Sequence, residues 1–152
     1  MKQANNKALV DWKDEYSIGL QEIDEQHEVL FDLINRLWAA IVKQAQTGDI
    51  LKIVRELEHY TLSHFTAEET FMRVSEYPKF LDHKKQHEDF VARVAKEREA
   101  VMGGKSISLD LIRFLKDWLI NHILVSDKDY AEFHSRKGKS GGLGQFFKRF
   151  FS

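Results

Sequence analysis

The sequence has no cysteine, one proline and eight glycines among its 152 residues. Without cysteine there are no disulfides, thiolate zinc sites, iron–sulfur clusters or thiol nucleophiles. Scarce proline and glycine leave long uninterrupted stretches, which favours helices over a turn-rich β fold. No apolar run approaches the roughly 18 residues of a membrane span, and the N-terminus has no apolar segment of signal-peptide length. We therefore expect a helical protein of the cytoplasm.

Charge and size narrow the class of protein further. The chain carries 23 basic and 24 acidic residues, for a formal net charge of −1. A nucleic-acid-binding protein usually has a basic excess, so no nucleic-acid partner is expected. The hydrophobic fraction of 43% is enough for a core, and the length suits one domain.

Apolar residues recur with a helical period in four segments. The first segment follows Asp24 and stops near Thr47-Gly48. The second is predicted to start at Asp49, a good N-cap, and to end at Tyr77, because the residue before a proline is disfavoured in a helix.

The remaining two segments are bounded by glycine and serine. The third begins at Phe80 and ends at Gly103-Gly104, and the fourth opens near Ser106 or Ser108. Connections this short place successive helices antiparallel. The sequence therefore predicts an all-α fold, an antiparallel up-down-up-down four-helix bundle.

Two terminal segments flank the predicted bundle, which we place at residues 23–134. Residues 1–22 lack a clean period and are expected to form an N-terminal arm. Three apolar residues of the arm are expected to anchor it: Trp12, Tyr16 and Ile18. Residues 135–152 form a short tail, in which a glycine-rich hinge precedes QFFKRFF. We expect this tail to dock on a membrane surface or a partner protein, the alternative being that it packs on its own bundle.

Six polar side chains occupy positions that the helical period assigns to the core: His27, His64, Glu68, His83, His87 and His122. Burying such groups without partners costs several kcal/mol each, and together they would exceed the roughly 5–15 kcal/mol of net stability of a domain. A metal satisfies all of them together. Imidazole suits iron, copper, zinc and nickel, and an added carboxylate shifts the preference toward iron or manganese.

The motifs that contain these residues resemble those of a known family. WKDEYSIGLQEIDEQH, HFTAEE, HKKQH and HILVSDKDY, in this order, are similar to the motifs of the hemerythrins, in particular the bacteriohemerythrins. The resemblance spans roughly residues 12–130. It implies a cofactor of two iron ions joined by an oxo or hydroxo bridge. One iron would be held by His83, His87 and His122, the other by His27 and His64, with Glu68 and Asp127 bridging them.

The bridging aspartate is identified by the resemblance alone. Asp127 lies about 140° around an ideal helix from His122, whereas Asp129 lies on the core stripe but about 10 Å along the axis. The helical period leaves the choice between them open. If Asp127 is the ligand, either its side chain reaches around the helix or the helix widens locally into a π-bulge.

The implied ligand set also bears on function. One coordination position stays open after the five histidines, the two bridging carboxylates and the oxo or hydroxo bridge are counted. It lies on the iron with two histidines, and an open position is where a small ligand binds. The resemblance implies reversible dioxygen binding for storage, delivery or scavenging, without enzymatic turnover. Small anions such as azide are expected to bind the diferric form. Five apolar residues within one helical turn of a ligand are expected to line the open position: Leu30, Phe65, Trp118, Leu119 and Ile123.

Other functions of such a centre remain open at the level of sequence. The centre could serve as a sensor of oxygen, redox state or nitric oxide, as a di-iron enzyme that reduces peroxide or nitric oxide, or as an iron store. Three polar residues near the motifs are not expected to bind metal. His59 and His134 are expected at the surface, and Glu69 is rotated off the face that carries His64 and Glu68.

Overall fold

The computed structural model describes residues 8–136, and every longer element in that range is helical. The elements are α1 Gln21–Val42, α2 Thr47–Val74, α3 Phe80–Met102, α4 Leu109–Asn121, a π segment His122–Asp127 and α5 Lys128–Arg136. The backbone stays helical at Asn121 and Lys128, so α4, the π segment and α5 form one continuous fourth helix. α1 and α3 each pack against both α2 and α4. The predicted all-α four-helix bundle is confirmed.

The bundle core has two parts, which meet at the polar residues. The larger cluster includes Leu30, Phe65 and Leu115, and the smaller includes Met72 and Tyr130. Burying each large side chain stabilises the fold by about 1.5–3 kcal/mol. Among the helices of residues 8–136, none combines the length and apolar content needed to cross a membrane.

The first loop differs from the prediction. α1 ends at Val42, before Thr47-Gly48, which instead open α2. Gln44 takes the left-handed conformation (φ 57°), and the Ala45 N–H donates to the Ala40 carbonyl at 2.9 Å, which is a Schellman end. The same ending occurs at Glu76 (φ 59°), so that α2 stops three residues before Tyr77.

Other helix ends lie closer to the expected positions. α1 starts at Gln21, three residues before Asp24, whose carboxylate accepts hydrogen bonds from the Ile18 N–H and the Ser17 hydroxyl. α3 spans the predicted residues up to Gly103. Ser108 caps α4, where its hydroxyl oxygen accepts from the Leu111 N–H at 3.1 Å.

The described part of the arm is fixed to α1. The Asn35 side chain accepts from the N–H groups of Leu9 and Val10 and donates to the Val10 carbonyl. Tyr16 is buried, and Trp12 packs edge-on against Phe31. The predicted tail, apart from Ser135 and Arg136 in α5, lies outside the described residues.

One surface prediction is wrong. His134 is buried, and its ring lies 4.7 Å from that of Phe71, centroid to centroid. An ideal α-helix would turn His134 away from the stripe of His122. The π segment turns less per residue and so rotates α5 back toward the core. His59, in contrast, is exposed as expected.

Candidate metal centre

The seven candidate ligands meet inside the bundle, and each is at most 3% exposed. The helices contribute them as follows: His27 from α1, His64 and Glu68 from α2, His83 and His87 from α3, and His122 and Asp127 from the π segment. Residues four apart on a helix share a face, which explains the pairs on α2 and α3.

The Asp127 carboxylate lies between histidines of different helices. Its Oδ2 is 3.1 Å from His27 Nε2, whereas its Oδ1 is 3.1 Å from His83 Nε2 and 3.3 Å from His122 Nε2. One oxygen therefore faces His27, and the other faces the opposite side of the centre.

The Glu68 carboxylate divides the histidines in the same way. Its Oε2 is 3.4 Å from His64 Nε2, and its Oε1 is 3.3 Å from His87 Nε2 and 4.0 Å from His83 Nε2. The two carboxylates thus separate a three-histidine set (His83, His87, His122) from a two-histidine set (His27, His64). Each carboxylate contributes one oxygen to each set, as a bridging ligand would.

The donor atoms are close enough to share metal ions. Glu68 with the three-histidine set, and Glu68 with the two-histidine set, each offer ligand atoms within 4.8 Å of one another. In the three-histidine set, the Nε2 atoms of His87 and His122 are 3.2 Å apart. Nitrogens about 3 Å apart are adjacent ligands of one ion at metal–nitrogen bonds of roughly 2.1 Å.

Several of these buried atoms have no hydrogen-bond partner among the described residues: both ring nitrogens of His27, Glu68 Oε1, His83 Nε2 and both oxygens of Asp127. Most of them lie within 3–4 Å of another polar atom, but not in hydrogen-bonding geometry. Two buried carboxylates without a hydrogen-bonded countercharge are strongly unfavourable. A metal centre fits this donor set, because cations between the two sets satisfy these oxygens and the Nε2 atoms together.

The π segment accounts for the position of Asp127. Of the two possibilities left by the sequence, the structure shows the local widening of the helix, which turns Asp127 toward the other ligands. Asp129 instead accepts a hydrogen bond from the Tyr77 hydroxyl and lies 3.6 Å from Lys79 Nζ. Asp129 is 40% exposed and belongs to the surface.

Outside the ligands, three side chains fix the orientation of imidazole rings. The Nδ1 atoms of three histidines lie at hydrogen-bond distance from side-chain oxygens: His64 from Gln26 Oε1 (2.6 Å), His87 from Glu69 Oε2 (2.8 Å) and His122 from Gln86 Oε1 (2.8 Å). A carbonyl or carboxylate oxygen only accepts, so each Nδ1 donates. The neutral form of each ring then has its Nε2 lone pair directed at the centre.

Sequence reasoning missed these orienting residues and also Tyr130, a buried residue whose hydroxyl donates to Glu68 Oε2 at 2.8 Å. A signal was present, because Gln26, Glu69 and Gln86 each adjoin a ligand in the chain. Apolar periodicity does not reveal these contacts, since each of the three residues is hydrogen-bonded to a histidine on a helix other than its own.

Burial and neighbouring charged groups shift the pKa values of these ligands in different directions. Burial lowers the pKa of His64 to about 4, so its ring is neutral at pH 7. Burial and the nearby Asp127 both act to raise the pKa of Glu68, yet His64 and His87 bring it down to about 2. Burial lowers the pKa of His87, but the adjacent carboxylates of Glu68 and Glu69 outweigh it and raise the pKa to about 9, so metal binding at this ring displaces a proton.

The predicted pocket residues surround the ligands on more than one side. Phe65 stacks on His87, with ring centroids 3.8 Å apart, and Trp118 stacks on His122 at 4.4 Å. Both rings therefore contact the three-histidine set. The other three pocket residues are buried in the larger core cluster: Leu30, Leu119 and Ile123.

Comparison with known proteins finds a matching family model and relatives that are similar over most of the chain. Residues 18–133 match the family model described as the hemerythrin HHE cation binding domain. A bacteriohemerythrin of Stenotrophomonas maltophilia is 38% identical over 95% of this chain and 99% of its own length. A bacteriohemerythrin of Pseudomonas aeruginosa is 36% identical over 92% of this chain and 96% of its own length.

A solved structure agrees with these sequence relatives. The crystal structure of a wild-type hemerythrin superposes with a TM-score of 0.76 at 32% identity, covering 82% of this chain and 97% of that one. The matched residues span all seven candidate ligands, and the five histidines with Glu68 form two buried groups that could hold a metal ion. The family model and the identity over nearly the whole length of the relatives lead to one conclusion: this chain belongs to the hemerythrin family, whose members bind a di-iron centre.

Proposed function

We propose that the protein binds dioxygen reversibly at a di-iron centre and so stores, delivers or scavenges it. In this proposal the three-histidine set holds one iron, the two-histidine set holds the other, and Glu68 and Asp127 bridge them. The observation that carries the proposal is the unequal division of five histidines by two shared carboxylates.

The unequal division matters because it leaves the two ions with different numbers of protein ligands. A metal site whose positions are all taken by protein is structural, and one with an open position can bind a small molecule. With two bridging carboxylates common to both ions, the ion of the two-histidine set has one protein ligand fewer. We therefore assign the dioxygen position to the side of His27 and His64.

The surrounding residues suit binding better than turnover. A bound di-iron centre supplies the two electrons that allow dioxygen to bind reversibly. Leu30 follows His27 on the ligand face of α1, and Leu119 and Ile123 flank His122; all three are buried and exclude water. These apolar side chains offer no proton to a bound oxygen species, and the nearby Tyr130 hydroxyl already donates to Glu68 Oε2, whereas reduction of peroxide or nitric oxide consumes protons.

The direct test is the optical spectrum of the reduced, iron-loaded protein before and after air. We expect new charge-transfer bands in air that disappear when oxygen is removed under argon, over repeated cycles. Metal analysis should give about two irons per chain and little zinc, from the two sets of ligands. Bands that never reverse, or one tightly held zinc in place of iron, would count against the proposal.

Azide provides a second test of the open position. Two ferric ions carry more positive charge than two carboxylates and an oxo bridge neutralise, so a small anion is attracted to them. Millimolar azide should change the charge-transfer spectrum of the diferric protein. Rapid turnover of peroxide or nitric oxide would instead favour an enzyme, and an oxygen-dependent partner contact would favour a sensor.

A further inference from the structure

The three orienting residues differ in charge, and this difference separates the two histidine sets. Glu69 presents a carboxylate to His87 of the three-histidine set, at 2.8 Å from Nδ1. Gln26 presents a neutral amide oxygen to His64 of the two-histidine set, at 2.6 Å. The remaining one, Gln86, is also an amide, and its oxygen is shared between His122 and the Ser126 hydroxyl. Among these three oxygens, only that of Glu69 carries a formal charge.

We propose that Glu69 is a positioning residue that makes the three-histidine set the tighter metal site of the pair and the one that more strongly favours the ferric state. The proposal rests on the two-metal centre proposed above. It assigns to Glu69 a role other than that of a ligand, since its carboxylate is hydrogen-bonded to the outer nitrogen of His87.

The physical basis is the effect of a negative acceptor on a ligand ring. A hydrogen bond to a charged acceptor is about twice as strong as one between neutral groups. When the Nδ1–H of His87 donates to a carboxylate, negative charge moves onto the ring, and Nε2 becomes a stronger metal ligand. A more negative ligand set stabilises Fe³⁺ over Fe²⁺, because the additional positive charge is compensated nearby.

The location of Glu69 makes this hydrogen bond effective. The His87 side chain is 2% exposed and that of Glu69 only 17%, so water screens the contact weakly. Phe65 stacks on the same imidazole and holds its plane. The ring is therefore fixed by an aromatic neighbour and polarised by one carboxylate.

The two sets allow a reciprocal pair of substitutions. Glu69→Gln keeps the shape and removes the charge on the three-histidine side, and Gln26→Glu places a charge at the corresponding position on the two-histidine side. Glu56→Gln is the matched control, because Glu56 lies on the same helix as Glu69 in an exposed pair with Arg36. Circular dichroism of each metal-free variant checks that the bundle has formed.

The first measurement is cobalt(II) binding to metal-free protein in competition with a chelator, in which two binding steps are resolved. Glu69→Gln is expected to weaken the tighter step by roughly 10–100-fold and to leave the weaker step within about threefold. Gln26→Glu is expected to tighten the weaker step. Equal weakening of both steps by Glu69→Gln, or none, overturns the proposal.

The second measurement is the midpoint reduction potential of the iron-loaded protein. Glu69→Gln should raise the potential and Gln26→Glu should lower it, and a tenfold change in ferric over ferrous preference corresponds to 59 mV per electron. If Glu69 had a merely structural role, the reduction potentials of the two variants would not shift in opposite directions. If both potentials stay unchanged, or move together, the proposal fails.

The two proposals can fail separately. Cobalt binding involves no dioxygen, so the two steps and their response to Glu69→Gln can be observed even in a protein that does not bind oxygen reversibly. Conversely, reversible oxygen binding that is combined with equal weakening of both cobalt steps would keep the proposed function and overturn only the role of Glu69.

Discussion

At the scale of single residues, the site depends on carboxylates that serve two groups of histidines at once. Glu68 and Asp127 each direct one oxygen to the three-histidine set and the other to the two-histidine set. In the proposed centre, losing either carboxylate would therefore affect both metal positions. Losing a single histidine removes a ligand from one position only.

Glu68→Ala should prevent assembly of the metal pair. The substitution removes a ligand from both positions and leaves Asp127 as the one bridge in the proposed set. We expect iron content, measured after growth with ample iron, to fall from about two per chain to one or less. His59→Ala, at an exposed position of the same helix, is the control and should retain full iron. Full iron and normal oxygen spectra in Glu68→Ala would mean that the bridge is another residue.

Tyr130→Phe should lower stability without changing the packing of the ring. The Tyr130 hydroxyl is buried and donates to Glu68 Oε2, and a hydrogen bond to a charged group contributes about 1.5–3 kcal/mol. We expect the free energy of unfolding of the metal-free protein to fall by about this amount in urea titrations. A change below about 0.5 kcal/mol would show that the hydroxyl does not stabilise Glu68.

At the scale of elements, the π segment is the feature on which the site depends. It keeps the fourth helix continuous, yet it turns Asp127 into the centre and His134 into the core. A π segment amounts to one additional residue in an α-helix, and such insertions are frequent at functional sites. Removing one residue from the segment should therefore restore α geometry and leave the residues that follow it on the faces they now occupy.

Deleting Val125 tests this relation. Val125 lies within the π segment and is 61% exposed, so its own side chain contributes little to the core. We expect the deletion to retain most of the helical circular dichroism and the iron content, because Asp127 then follows His122 by four residues and shares its face in a regular α-helix. Val125→Ala, the control, should bind iron normally. Loss of iron after the deletion would show that the π segment does more than accommodate the five-residue spacing between His122 and Asp127.

The same elements show what the sequence could predict. Helix number, topology and the buried histidines followed from apolar periodicity and glycine or serine at the ends, as at Gly103 and Ser108. The ends at Gln44 and Glu76 could not be predicted, because residues other than glycine occupy the left-handed positions there. Burial of His134 was missed because a regular 3.6-residue period contains no π segment.

At the scale of the whole molecule, the metal centre and the two core clusters support one another. Phe65 of the larger cluster stacks on His87, and Tyr130 of the smaller cluster lies 5.6 Å from the His83 ring. The candidate ligands come from all four helices of the bundle. A metal pair bound by these residues would therefore join all four helices, in addition to the apolar contacts between them.

The tail is a separate question at this scale, because residues 137–152 lie outside the described part of the chain. Docking of QFFKRFF on a membrane surface or a partner therefore remains a prediction from the sequence. It concerns where the protein is located, whereas every candidate ligand lies between residues 27 and 127.

Removing the metal should weaken the bundle without abolishing its helices. The apolar clusters remain, but Glu68 and Asp127 then have only imidazoles to compensate their buried charge. Because the folded ligand set binds metal far better than the unfolded chain, metal binding adds to the free energy of folding. We expect the metal-free protein to keep a helical circular dichroism spectrum at 25 °C and to melt well below the iron-loaded form. Adding iron(II) anaerobically should restore the higher melting temperature. Equal melting temperatures with and without iron would show that the seven buried residues are stable without a metal.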